Sequence, residues 1–184
     1  WYWLDPDSGA MATGWEKASD GKWYYFEGSG AMRSGGWMKQ GSSWYYLSGS
    51  GAMQTGWLSK GGSWYWLDPD SGAMATGWEK ASDGKWYYFE GSGAMQSSRW
   101  LKQGTAWYYL SGSGAMQTGW LLTGGAWYWM DPESGMMATG WLENGGSWYY
   151  LDPSSGAMAT GTAVIDGTRY IFDDSGACAD FVDE

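Results

Sequence analysis

The sequence predicts an all-β solenoid of stacked β-hairpins, and three observations lead to this fold class. The 18 Trp, 14 Tyr and 32 Gly leave few aliphatic side chains for one large core. Aromatic segments such as Trp148-Tyr149-Tyr150-Leu151 follow glycine turns, which is the pattern of a hairpin. The unit recurs every 20 to 22 residues, and single hairpins gain stability by stacking. The first-strand tryptophans are Trp15, Trp37, Trp57, Trp78, Trp100, Trp120 and Trp141.

The predicted array covers residues 1–176 and begins with a half-repeat. We interpret Trp1-Tyr2-Trp3-Leu4 as a second strand without its first strand, followed by a connector with turn residues at Asp5-Pro6 and Ser8-Gly9. Glycine turns such as Gly61-Gly62 tolerate the positive φ that hairpins need. Seven complete hairpins follow, with second strands that begin at Trp23, Trp44, Trp64, Trp86, Trp107, Trp127 and Trp148.

The array is predicted to end in a degenerate cap hairpin at about residues 161–176. Thr162 and Arg169 stand where the other hairpins have tryptophan, and only Tyr170 remains of the Trp-Tyr-Tyr triplet. Repeat arrays need such atypical terminal repeats. Residues 177–184 form an acidic tail that we expect to fray or to pack on the cap.

The hairpin repeats also follow a longer period of 63 residues, which equals three hairpins. Residues 1–15 are identical to residues 64–78, and residues 127–141 differ from them at three positions. About three hairpins per superhelical turn would give every third repeat the same surroundings. Duplication of a three-hairpin block explains the same identity, so both interpretations stay open.

The composition excludes several function classes. The net charge is −10 without a basic run, which argues against nucleic acid and anionic membranes and is compatible with a cationic ligand. There is no histidine and only Cys178, so neither an internal disulfide nor a Cys/His zinc site is expected, and no cofactor is predicted. No apolar run reaches the ~20 residues of a membrane span. No nucleophile–base pair suggests an enzyme; because the chain starts inside a repeat, we expect a fragment whose catalytic domain, if any, lies elsewhere.

The alternation of side chains along the strands suggests a pocket between hairpins. It sends the two tryptophans of one hairpin to one face and the middle tyrosine of the next hairpin toward them. The cap has lost both tryptophans and kept Tyr170, as a repeat without a successor requires. Three aromatic faces favour a quaternary ammonium through cation–π attraction. The alternative is that the aromatics form the core, and the methionines are assigned a packing role.

The pattern Thr139-Gly140-Trp141, then Trp148-Tyr149-Tyr150-Leu151, then Ser155-Gly156-Ala157-Met158 resembles the choline-binding repeats of Gram-positive surface proteins and phage lysins. The resemblance covers about residues 1–176. It implies a left-handed β-solenoid that binds choline between successive repeats, in a cage of two Trp and one Tyr, often with a nearby Met. It further implies a non-catalytic module on the extracellular bacterial surface, or of phage origin, that anchors to choline on teichoic acid.

Carried onto this chain, the resemblance implies seven cages, each with two tryptophans of one hairpin and a tyrosine of the next. They are Trp15, Trp23 and Tyr45; Trp37, Trp44 and Tyr65; Trp57, Trp64 and Tyr87; Trp78, Trp86 and Tyr108; Trp100, Trp107 and Tyr128; Trp120, Trp127 and Tyr149; Trp141, Trp148 and Tyr170.

Two other functions are considered beside choline binding. Aromatic side chains also stack on sugar faces, so a glucan or another polysaccharide is the second candidate ligand. The third candidate is a structural or adhesive array that associates with itself, in which Cys178 links chains.

Overall fold

The computed structural model describes residues 1–5 and 8–182. Within these residues, antiparallel strands pair into two-stranded hairpins, with one three-stranded sheet near the end of the chain. The prediction of an all-β fold of stacked hairpins is confirmed. The strands are β1 (Gly14–Lys17), β2 (Trp23–Phe26), β3 (Gly36–Gln40), β4 (Ser43–Leu47), β5 (Gly56–Lys60), β6 (Ser63–Leu67), β7 (Gly77–Lys80), β8 (Trp86–Phe89), β9 (Arg99–Gln103), β10 (Ala106–Leu110), β11 (Gly119–Thr123), β12 (Ala126–Met130), β13 (Gly140–Asn144), β14 (Ser147–Leu151), β15 (Gly161–Ile165), β16 (Thr168–Phe172) and β17 (Cys178–Val182).

The chain divides into two compact units, Trp1–Gln96 and Ser97–Glu184. The first unit contains four hairpins, from β1–β2 to β7–β8. The second contains three hairpins, from β9–β10 to β13–β14, and the sheet of β15, β16 and β17. A single array over residues 1–176 and a left-handed winding with about three hairpins per turn remain predictions.

Glycine turns close the hairpins, as the turn joining β5 and β6 illustrates. Its two residues, Gly61 and Gly62, have φ values of +60° and +80°. Two successive positive φ angles match the right-handed twist of the flanking strands. For a residue with a Cβ, each such positive φ angle raises the conformational energy by about 1–2 kcal/mol.

The core is a column formed by the last residue of each second strand. In Trp44-Tyr45-Tyr46-Leu47, for example, Leu47 is fully buried whereas Trp44 is 40% exposed. The same position is buried in every complete hairpin and in the cap, at Phe26, Leu47, Leu67, Phe89, Leu110, Met130, Leu151 and Phe172. Burial of apolar area at this position supplies the main drive for stacking. The first tryptophan of each second strand, such as Trp44, is therefore not part of the core, although Trp66 at the third position of its segment is buried.

The connector after each hairpin fastens it to the hairpin before. Met53 forms an isolated antiparallel bridge with Leu47 of its own hairpin. Its N–H donates to the carbonyl of Trp23 in the previous hairpin at 2.8 Å. In the second unit the Met137 N–H donates to the Trp107 carbonyl at the same distance. These bonds satisfy backbone groups that a two-stranded hairpin alone leaves at its edge.

Each methionine side chain then lies against a glycine one connector further along. A Cβ built on Gly72 (φ +72°) would lie 2.4 Å from Met53 Sδ. The same contact recurs seven times in the described residues, always within one unit. The pairs are Met11 with Gly30, Met32 with Gly51, Met53 with Gly72, Met74 with Gly93, Met116 with Gly135, Met137 with Gly156, and Met158 with Gly176.

The first end differs from the sequence prediction, whereas at the last end one of the two predicted alternatives, packing on the cap, is observed. Trp1-Tyr2-Trp3-Leu4 forms no strand; its one ladder-type pairing is a bridge between Leu4 and Met11, because no described residue runs beside it as a first strand. Residues 178–182 of the predicted tail form β17, which pairs antiparallel with β16 across an irregular register at Ile171 and Phe172. Pro6 and Asp7 of the first connector and Asp183 and Glu184 of the tail lie outside the described residues.

Substitution of Gly72 by Ala should destabilise the protein more than substitution of Gly62. Both changes place a Cβ at a positive φ, at a cost of about 1–2 kcal/mol, and nothing lies within 4 Å of a Cβ at Gly62. Gly72→Ala must also displace the Met53 side chain, which adds about 1 kcal/mol. Urea denaturation measures both free energies of unfolding; equal losses would contradict the role assigned to the methionine contact.

Candidate functional site

The register of each hairpin places its two tryptophans on one face of the sheet. In β3 and β4, Trp37 is paired with Tyr46 and Lys39 with Trp44. Because side chains alternate along a strand, Trp37, Trp44 and Tyr46 point to the same side. Tyr45 points to the other side, toward the previous hairpin.

Six first-strand tryptophans then contact the middle tyrosine of the next hairpin within the same unit. Trp37 meets Tyr46 of its own hairpin with ring centroids 5.2 Å apart and Tyr65 of the next at 4.9 Å. Both contacts are edge-to-face, a favoured geometry for aromatic pairs. The equivalent tryptophan–tyrosine contact between hairpins measures 4.8–5.0 Å at Trp15 with Tyr45, Trp57 with Tyr87, Trp100 with Tyr128, Trp120 with Tyr149 and Trp141 with Tyr170.

Three cavities open between these rings, with volumes of about 240, 300 and 270 Å³. These volumes suit a small organic cation and lie at or below the low end of the range for drug-sized ligands. Each cavity is lined by two tryptophans, one tyrosine, one methionine and two residues of a later connector. The linings are Trp15, Trp23, Tyr45, Met53, Asp70 and Ser71; Trp37, Trp44, Tyr65, Met74, Gly91 and Ser92; Trp100, Trp107, Tyr128, Met137, Ser154 and Ser155.

Six of the seven predicted cages, each a trio of two tryptophans and one tyrosine, have their rings brought together in the structure. Three of them line the cavities described above. Three more are grouped by ring contacts, with the two tryptophans of each hairpin 6.2–6.4 Å apart: Trp57, Trp64 and Tyr87; Trp120, Trp127 and Tyr149; Trp141, Trp148 and Tyr170. In the seventh trio, Trp78 and Trp86 belong to one compact unit and Tyr108 to the other, so this grouping stays a prediction.

The first tryptophan of the second strand in each complete hairpin keeps a large part of its surface open to solvent. The exposed fractions of these side chains lie between 37% and 50%. Contiguous exposed aromatic surface is unusual on a soluble protein and marks sites of interaction. These rings are available to a ligand in the described structure without any rearrangement of the core column.

Comparison with known proteins identifies the repeat. The family model for the choline-binding repeat matches residues 1–37, 34–77, 71–100, 101–139 and 133–162. The chain belongs to the choline-binding repeat family. Its matched residues stop before most of the cap, consistent with the loss of both cap tryptophans. No curated protein sequence matches the chain.

Solved structures from Streptococcus pneumoniae share the fold of these choline-binding repeats. Choline binding protein F is 39% identical with a TM-score of 0.81, over 97% of this chain and 61% of that one. CbpJ from strain TIGR4 is 36% identical with a TM-score of 0.78, over 97% of this chain and 70% of that one. The choline-binding domain of CbpL is 32% identical with a TM-score of 0.62, over 91% of this chain and 87% of that one. One structure of choline binding protein F was determined in the presence of a peptidoglycan analogue.

Sequence reasoning missed the connector residues of each cavity in these choline-binding repeats and gave two answers for the methionines. The residues alone assigned the methionines to packing, whereas the family resemblance implied that a methionine often lies near the cage; Met53 both packs on Gly72 and lines a cavity. Asp70 and Ser71 come from a connector two hairpins after Trp15, so no local pattern places them there. The spacing between each methionine and its glycine, 19 residues in six of the seven pairs and 18 in the last, was the one available signal. The last methionine position holds Cys178, which is paired with Phe172 as Met158 is with Leu151.

The charge beside the second tryptophan varies among hairpins. Lys39 Nζ lies 5.9 Å from the ring centroid of Trp44, and Lys102 Nζ lies 5.3 Å from that of Trp107. Each lysine is paired with its tryptophan across the strand ladder. In the hairpin of β13 and β14 the residue paired with the second tryptophan is Glu143.

Tyr87, a predicted wall of one cage, is hydrogen-bonded to the turn between β7 and β8. Its hydroxyl donates to Asp83 Oδ2 at 2.8 Å. Burial, and secondly this bond to a carboxylate, raises the pKa of Tyr87 to about 12. The ring is therefore fixed in orientation and neutral over the physiological pH range.

The described residues contain no group of three or more His, Cys, Asp or Glu side chains arranged to hold a metal ion. Over the same part of the chain, no helix has the length and apolar character required to span a membrane.

Serine hydroxyls organise the connectors that close the cavities. In the Asp152 turn, the Ser154 hydroxyl donates to Asp152 Oδ1 at 2.5 Å and the Ser155 hydroxyl at 2.8 Å. These two bonds, with the Ser155 N–H, lower the pKa of Asp152 to about 2. Asp152 therefore stays ionised, and keeps its hydrogen bonds in the turn, through the pH range in which ordinary carboxyl groups titrate.

Ser154→Ala should raise the pKa of Asp152 toward its ordinary value of 3.8 because the largest stabilising bond is lost. In the natural protein this bonding stabilises the fold fully above the unfolded-state pKa and is lost as the pH falls through about 2. In the variant the contribution should be smaller, and its loss should be complete at a higher pH. Carboxyl carbon-13 NMR during an acid titration measures the change, with Asp131 as an internal control. An unchanged Asp152 pKa would contradict this account.

Proposed function

We propose that this chain is a non-catalytic cell-wall-binding module that recognises choline on teichoic acid. The supporting observation is the cavity between hairpins with three aromatic walls, formed by Trp37, Trp44 and Tyr65. A trimethylammonium group has no hydrogen-bond donor, so ring faces satisfy it without polar partners. The proposal places the module outside the cell, on a Gram-positive surface.

The acidic balance of the chain supports a cationic ligand. With a net charge of −10, the protein's field attracts a quaternary amine and repels free polyanions over long range. Teichoic acid carries phosphate as well as choline, so recognition at the cage must outweigh this repulsion locally. The aromatic faces do so because cation–π attraction acts at short range and is only weakly screened by salt.

Single cages bind weakly and the array binds by multivalency. At about 0.5–2 kcal/mol per ring, three rings correspond to roughly millimolar affinity. Several cages on one chain raise the apparent affinity for a polymer that displays many copies of the ligand. Six aromatic trios grouped by described contacts, and the predicted trio of Trp78, Trp86 and Tyr108, would give seven such sites.

Choline should produce a saturable change in tryptophan fluorescence, because the ligand covers partly exposed indole rings. The neutral isostere 3,3-dimethylbutanol has the same shape without the charge and should produce much less change. A titration with each compound at constant ionic strength makes the comparison. Equal responses would exclude cation recognition; retention on dextran that choline does not displace would support a glucan ligand instead.

Trp107→Ala should lower the concentration of free choline that elutes the protein from immobilised choline, because one cage loses a wall. Trp129→Tyr is the matched control, since most repeats have Tyr at that position and the described cavity linings do not include Trp129. Far-ultraviolet circular dichroism checks that both variants fold. Identical elution of Trp107→Ala and the natural protein would argue against this cage.

A further inference from the structure

The three described cavities have the same aromatic walls but different connector residues. The cavity of Trp15, Trp23 and Tyr45 is lined by Asp70, whereas that of Trp100, Trp107 and Tyr128 is lined by Ser154. Asp70 and Ser154 hold the same place in the two connectors, which read Asp68-Pro69-Asp70-Ser71 and Asp152-Pro153-Ser154-Ser155.

The two connectors share one hydrogen-bond frame. Gly72 N–H donates to the Asp68 carbonyl at 2.8 Å, and Gly156 N–H donates to the Asp152 carbonyl at 2.7 Å. In both, the N–H of the serine after the variable position donates to Oδ1 of the leading aspartate at 2.7 Å. The variable residue is exposed in both connectors. The difference between the cavities is therefore one of charge rather than of backbone path.

A lysine is paired with the second tryptophan of both hairpins. Lys17 is paired with Trp23 in one hairpin and Lys102 with Trp107 in the other. Neither lysine belongs to the residues that line the two cavities. Asp70 adds a negative charge that the Ser154 cavity lacks.

We propose that Asp70 makes the cavity of Trp15, Trp23 and Tyr45 selective for a bare quaternary ammonium over one that carries a phosphate. The inference rests on the proposed function. A carboxylate at the cavity attracts the ammonium and repels a phosphate attached two carbons away. The cavity lined by Ser154 has no such carboxylate in its lining and takes both forms. The array then contains sites of two preferences on one chain.

Methionine methyl groups give a separate signal for each site. Met53 lines the Asp70 cavity and Met137 lines the Ser154 cavity. Carbon-13 methyl labelling of methionine, with assignment by Met53→Leu and Met137→Leu, allows the two to be titrated in one sample. Choline and phosphocholine are the ligands, at matched ionic strength.

A reciprocal exchange supplies the test. Asp70→Ser gives the connector that begins at Asp68 the Asp-Pro-Ser-Ser sequence of the connector that begins at Asp152, and Ser154→Asp does the converse. Each variant therefore uses a turn that this chain already forms. We expect Asp70→Ser to lower the preference for choline over phosphocholine at Met53 by about threefold, the size expected for a partly screened charge pair. Ser154→Asp should raise the preference at Met137 by a similar factor, and each variant should leave the other methyl unchanged.

Two results separate the failure of this inference from the failure of the proposed function. If both methyl groups respond to choline but Asp70→Ser leaves the preference at Met53 unchanged, the inference is overturned and choline binding stands. If neither methyl responds to either ligand, the proposed function fails and the inference fails with it. A difference that shrinks at about 0.5 M salt supports the electrostatic origin, because such charges are then screened.

Discussion

The edge-to-face contact between a first-strand tryptophan and the middle tyrosine of the next hairpin is the interaction on which both the stack and the site depend. It joins Trp37 to Tyr65 at 4.9 Å and recurs with nearly the same geometry along each unit. The contact holds successive hairpins together, and the same rings line the space between them. A ligand that fills this space touches both hairpins at once, so its binding free energy adds to the stability of the folded state.

Two chemically distinct columns run along each unit, and their separation explains how so small a repeat both folds and binds. Aliphatic and phenyl side chains such as Leu47 and Phe89 are buried at the end of the second strand. The tryptophans at the start of that strand are three residues away and keep their faces in solvent. Because burial of the first column supplies most of the favourable free energy of folding, the residues of the second column can vary in charge and in contacts without loss of the fold.

The parts of the structure that depend on local pattern were predictable, and those that depend on the path of the chain through space were not. Residue spacing and strand alternation were sufficient to pair Trp15 and Trp23 with Tyr45, since adjacent hairpins obey the same period. Asp70 joins that cavity from a connector two hairpins later, and no local residue pattern places it there. Residues 178–182 were expected to fray or to pack on the cap, and they pack on it because the open edge of β16 is available to pair with them.

The requirement that each cavity draw its walls from successive hairpins and a later connector has a consequence for how such arrays change during evolution. A genetic exchange that inserts a complete 63-residue block adds three trios of two tryptophans and one tyrosine in the same sequence order as the existing ones. Insertion of a single altered repeat instead changes parts of several neighbouring cavities at once. Unequal recombination between blocks therefore provides a route by which the number of aromatic trios changes in steps of three.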